Sequence, residues 1–111
     1  MKRVVFAALF AAVITGILLG SGCTTKSGSS SLADRGRVVY QTNCIACHNT
    51  DPHKPGALGP EIWGSSLALV EGRVMKGEYP PGYTPKRTTH TMVPIPQLQA
   101  DLPALHAYLN N

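Results

Sequence analysis

Cys44-Ile45-Ala46-Cys47-His48 is the stretch on which the reading of this 111-residue chain turns. Two cysteines held two residues apart, with a histidine directly after the second, form the attachment pattern of a c-type haem. Each thiol adds across one vinyl group of a porphyrin, and the two-residue gap lets both sulfurs reach the same edge. The histidine then sits under the ring, where its imidazole binds the iron from the proximal side. A CxxC pair alone also serves zinc sites and thiol–disulfide exchange. The residues around the motif must therefore decide between these chemistries.

Upstream, Ser31 followed three residues later by Asp34 marks a helix N-terminus with acidic charge in its first turn. From Leu32 to about Asn43 there is no proline, and Leu32, Gly36, Val39 and Tyr40 fall near one helical face. A mid-helix glycine costs about 1 kcal/mol against alanine. Close approach of another helix backbone at Gly36 would account for it. At the other end Leu102, Ala104, Leu105, Tyr108 and Leu109 repeat with helical spacing. Asp101 is the expected cap there, and Pro103, tolerated only in a first turn, puts the helix start near Asp101 rather than Gln97. Leu67, Val70 and Val74 predict a short middle helix over 67–76, ended by Gly77. Pro80-Pro81-Gly82 and Pro85 then set turns in a proline-rich loop.

Gly36, Tyr40, Cys44, Cys47 and His48 together follow the pattern G-x-x-x-aromatic-x-x-x-C-x-x-C-H, and Leu105-x-x-Tyr108-Leu109 stands near the C-terminus. This arrangement resembles the class I cytochrome c family over the whole region from Leu32 onward. The resemblance implies an all-α domain over 32–111, with three to four helices wrapped around one covalently attached haem. Its terminal helices would cross at the glycine. Gly59-Pro60-Glu61-Ile62-Trp63-Gly64 is similar to the family segment whose proline carbonyl accepts a hydrogen bond from the proximal histidine, here His48. Ile62 and Trp63 would then approach the ring, with the indole N–H reaching a propionate. Met92-Val93-Pro94 resembles the family's distal-ligand segment with one residue inserted before the proline. The resemblance thus implies His48 and Met92 as axial ligands, with His90 as the rival to Met92. Met75 reads as a core or rim residue, His53 as too near the haem motif, and His106 as part of the C-terminal helix.

The N-terminus bears on where such a protein works. Lys2 and Arg3 precede a 16-residue apolar run from Val4 to Leu19, and Gly20, Ser21 and Gly22 lead to Cys23. That is the organisation of a secretory signal over 1–22. The run is short of the roughly 20 residues that cross a bilayer, so an uncleaved anchor is the second choice. Leu18-Leu19-Gly20-Ser21-Gly22-Cys23 resembles a bacterial lipobox, with Gly20 where that pattern prefers an aliphatic residue. The resemblance implies lipid on Cys23; ordinary cleavage near Gly22 is the alternative. Residues 23–31, small and polar, read as a flexible tether.

From Cys23 onward eight Lys or Arg stand against six Asp or Glu, leaving +2 where the whole chain carries +4. No basic stripe with interleaved aromatics is present, and nucleic-acid binding has no support. An 80-residue domain is near the size where a protein-only core is marginal, and a buried porphyrin would supply apolar core.

The expected function is one-electron transfer outside the cytoplasm, as a carrier or as the cytochrome subunit of a larger redox enzyme, and not catalysis of its own. Its partners would be a redox donor and acceptor in transient complexes, with the membrane reached through the lipid. A haem protein with an open distal site, for gas sensing or peroxidase-like chemistry, requires Met92 not to bind. A thiol–disulfide oxidoreductase using Cys44 and Cys47 lacks the expected βαβ pattern.

Overall fold

A computed structural model describes residues 30–111. The expected signal segment, Cys23 and all but the last two residues of the expected tether lie outside the described residues. Helix α1 runs over Ser30–Asn43, α2 over Leu67–Glu71 and α3 over Leu102–Leu109. Helix α2 widens into a π-helical turn at Gly72–Lys76, and a 3₁₀ turn at Pro96–Asp101 leads into α3. Among the described residues there is no strand, and no helix is long and apolar enough to cross a membrane.

Helix α1 turns Ala33, Gly36 and Tyr40 inward, an i, i+3, i+7 stripe. Leu32 stays 44% exposed, so the buried face starts one residue later than the sequence pattern predicts. Gly36 sets that rotation. A Cβ there would overlap the backbone carbonyl of Ala104 and the Cβ of Tyr108, so α1 and α3 meet backbone to backbone at this point. One turn on, the rings of Tyr40 and Tyr108 lie 5.5 Å apart at a tilt of 47°. Tyr40 is wholly buried, and its hydroxyl donates to the Asn49 carbonyl at 2.5 Å. Burial pushes the phenol up to about 12, with the Cys44 thiol a lesser cause.

Helix α3 buries Leu102, Ala104, Leu105 and Leu109. Its start falls where Pro103 requires, but Asp101 makes no side-chain cap bond. Its carboxylate instead takes two hydrogen bonds from Arg35, at 2.9 and 2.5 Å, strapping α1 to the base of α3. Asp34 likewise lies beyond the first turn of α1, because the helix already begins at Ser30.

Helix α2 opens on a Ser66 cap whose hydroxyl accepts from the Leu69 amide at 3.2 Å. Val70 and Val74 face inward, and Gly77 ends the π turn at φ +72°, a conformation glycine adopts without penalty. The Ile95 amide then donates to the Val74 carbonyl at 2.7 Å and pins the start of the 3₁₀ turn to this helix. Tyr40, Val70, Val74, Leu98, Leu102, Leu105 and Leu109 form one buried cluster. Fully burying an aliphatic side chain such as Leu109 contributes about 1.5–3 kcal/mol. Ile62, Met75, Met92 and Cys44 pack against the cluster from its edge.

Candidate haem-binding site

Helix α1 ends by feeding its last carbonyls into the motif. The Cys44 amide donates to Tyr40 at 2.9 Å, and the Cys47 and His48 amides both donate to the Cys44 carbonyl, at 3.2 and 2.9 Å. This turn brings Cys44, Cys47 and His48 to the wall of one cleft of about 350 Å³. Burial first, and the neighbouring Cys47 second, push the Cys44 thiol up to about 11. At neutral pH it stays protonated, the opposite of the lowered pKa that thiol–disulfide enzymes give an attacking cysteine. Among the described residues no cluster of three or more His, Cys, Asp or Glu side chains is placed to hold a metal ion. The zinc reading of the CxxC pair therefore lacks its remaining ligands.

The loop after the motif folds back over it. The Leu58 and Gly59 amides both donate to the Cys47 carbonyl, at 3.2 and 2.9 Å, and the Gly56 amide donates to Gly59 at 2.9 Å. A Cβ on Gly59 would overlap the His48 ring, and one on Gly56 would overlap the Cys47 carbonyl and the His48 backbone. His48 Nδ1 lies 2.9 Å from the Pro60 carbonyl. A carbonyl only accepts, so Nδ1 carries the hydrogen and Nε2 keeps its lone pair for a metal.

Pro60 and Ile62 line the cleft; Trp63 does not. The Pro52 carbonyl holds the Ile62 and Trp63 amides, each at 3.0 Å, and the indole stacks on His53 with centroids 4.0 Å apart. Trp63, expected beside the ring, here packs on an imidazole and is not part of the cleft wall. His53 also bonds Asp51 at 2.9 Å.

Met92 lines the cleft, half-buried, together with Thr89 and Thr91. His90 lies between those threonines in sequence but is exposed and absent from the wall. Met75 packs against the core cluster and is likewise absent from the wall. The apolar wall is built from Val70, Val74, Leu98, Leu105 and Leu109.

Sequence reasoning missed a polar part of the cleft. Arg73, Lys86 and Arg87 line it with Tyr79 and Tyr83. The two tyrosine rings stack 5.4 Å apart, and the Arg73 guanidinium sits 4.2 Å from the Tyr79 centroid. Arg73 also donates to the Gly77 carbonyl. The adjacent Lys86-Arg87 pair in an otherwise weakly charged loop was the available signal.

These residues fit a c-type haem. Two thiols and an imidazole with a free Nε2 stand on one cleft, a thioether is on its wall, and its apolar lining and cationic groups suit a porphyrin with two carboxylates. The volume falls within the roughly 300–1,000 Å³ usual for cofactor pockets.

The helical fold and this donor set are of the kind a small c-type cytochrome requires. No protein-family model matches the chain, and no solved structure matches it. A curated relative described as "Cytochrome c-553-like", from Synechocystis sp., is 36% identical over 74 residues. That covers 63% of this chain, and the chain spans about 62% of the length of that relative. The match is thus a likeness to a small c-type cytochrome.

Proposed function

We propose that this chain is an extracytoplasmic one-electron carrier, or the cytochrome subunit of a larger redox enzyme. Cys44 and Cys47 would hold one haem c covalently, and His48 and Met92 would be its axial ligands. The observation that carries this reading is the convergence on one cleft of His48, with its Nδ1 committed to Pro60, and Met92. The haem, when bound, supplies a reversible Fe(III)/Fe(II) couple. The chain's own part is to orient and exclude. Pro60 fixes the tautomer of His48, and Gly59 leaves room for its ring. Met92 would supply the second ligand and so deny the metal to oxygen or peroxide. The apolar wall would keep water from the metal and so limit rearrangement between oxidation states.

Leu58 and Val93, 52% and 73% exposed, stand at the cleft and support a contact patch there for a redox donor and acceptor. Such encounters bury little surface and are short-lived. Attachment by lipid on Cys23 would keep the domain near a membrane. Mass spectrometry of the mature N-terminus checks this: a diacylated Cys23 is expected, and an unmodified one rules the anchor out.

Protein matured in a host that attaches c-type haem tests the main reading. Haem that survives denaturation and extraction, and a low-spin oxidised spectrum, are expected. Extractable haem, or a high-spin form that binds cyanide at once when oxidised or carbon monoxide at once when reduced, contradicts it.

A further inference from the structure

The segment that carries Met92 is fastened differently from the rest of the cleft. From Gly77 to Pro94 the loop runs 18 residues, longer than the roughly 12–15 beyond which unstructured connections are uncommon. Among the described residues, positions 84–94 make no backbone–backbone hydrogen bond. Their polar ties come from two adjacent side chains. Lys86 Nζ donates to the Glu61 backbone carbonyl at 3.0 Å and pairs with the Glu61 carboxylate at 3.1 Å. Arg87 Nη2 donates to the Gly56 carbonyl at 3.1 Å.

Both acceptors belong to the segment that sets His48. Glu61 directly follows Pro60, whose carbonyl holds the imidazole. Gly56 is bonded to Gly59, which backs the imidazole ring. The two cations therefore join the loop bearing the candidate distal ligand to the scaffold of the proximal one.

We propose that Lys86 and Arg87 form a paired clamp, positioning residues that hold the Met92 loop shut on the 56–61 segment and set how readily Met92 yields to a competing ligand. The clamp rests on the reading of Met92 as axial ligand. The Glu61 carboxyl is held below its usual range by a backbone hydrogen bond at its own residue and next by Lys86, so Glu61 faces Lys86 as a carboxylate. A competing ligand enters only the fraction of molecules whose loop is open, and its apparent affinity scales with that fraction. Ion pairs at exposed positions are screened by salt, whereas the Arg87 bond to a neutral carbonyl is less affected. The clamp therefore has a salt-sensitive half and a salt-tolerant half.

Imidazole titration of the oxidised holoprotein, followed by loss of the long-wavelength sulfur–iron charge-transfer band, tests this. The double variant Lys86→Ala/Arg87→Ala should bind imidazole about fivefold to tenfold more tightly than wild type, from two weak surface ties lost together. Glu61→Gln should give a smaller gain and remove most of the salt dependence of the wild-type affinity. Lys54→Ala, an exposed cation paired with Asp51 and away from the loop, should leave the affinity unchanged. Arg87→Lys, with Lys86 intact, should retain most of the wild-type resistance. Wild-type affinity in the double variant, with the band intact, overturns the clamp and leaves Met92 ligation standing. A wild-type protein without the band overturns the ligation and the clamp with it.

Discussion

The two sides of the cleft are held by different forces. Residues 44–62 are held by short backbone hydrogen bonds, by glycines with no room for a side chain, and by one imidazole–carbonyl contact. Residues 84–94 are held by long cationic side chains, by packing of Met92 on the core edge, and by a backbone bond just past their far end, from Ile95 to Val74. The first arrangement is preset and hard to deform without breaking bonds. The second yields by rotating side chains. A strong imidazole ligand on a rigid side and a weak thioether on a yielding side make a site whose failures should all begin at the loop.

Substitution at the rigid side and at the helix crossing should have the largest effects. Gly36→Ala drives a methyl into the Ala104 carbonyl, and neither backbone can rotate away. A loss of about 3 kcal/mol in denaturant unfolding is expected, at the upper end for overpacking. A loss under about 0.5 kcal/mol would show that the crossing relaxes easily. Gly59→Ala meets the His48 ring instead, which can tilt, so about 1–3 kcal/mol is expected along with an altered Nδ1–Pro60 bond. Nitrogen-15 shifts of the His48 ring would report that change, and unaltered shifts would argue against contact.

Tyr40→Phe should cost about 1 kcal/mol near neutral pH through the lost bond to Asn49. It carries a sign as well. The folded phenol ionises near 12 and the unfolded one near 10, so the unfolded chain releases its proton first as pH rises. This contribution to stability is complete below pH 10 and is lost as pH climbs through 12. The phenylalanine variant should lack that alkaline decline, and an equal decline in both proteins would assign it elsewhere. The smallest effect is expected at the exposed strap: Arg35→Ala should cost about 0.5 kcal/mol, falling further in high salt.

The same contrast explains what could be read from the sequence. The rigid side is written in local, short-range terms. The spacing of Cys44, Cys47 and His48, the glycine at 36 four residues before Tyr40, and the Gly59-Pro60 step each constrain the backbone near themselves. The helices around them were legible for that reason, although the buried stripe of α1 starts at Ala33 and not at Leu32. Asp101 shows the limit. Its type and position suit a cap, but a guanidinium 66 residues away outcompetes the local amides for its carboxylate. Trp63 shows it again, because nothing in the sequence says that its ring stacks on His53. The loop's fastening depends on side chains meeting a segment some 25 to 31 residues earlier, and no local pattern encodes such a meeting.

The central claim is that one imidazole and one thioether meet on this cleft. The most direct measurement is the sulfur–iron charge-transfer band in oxidised wild type, Met92→Ala and His90→Ala. The band should be present in wild type and His90→Ala and lost in Met92→Ala. A band that survives in Met92→Ala, or a wild-type spectrum of bis-histidine type that changes in His90→Ala, would contradict it.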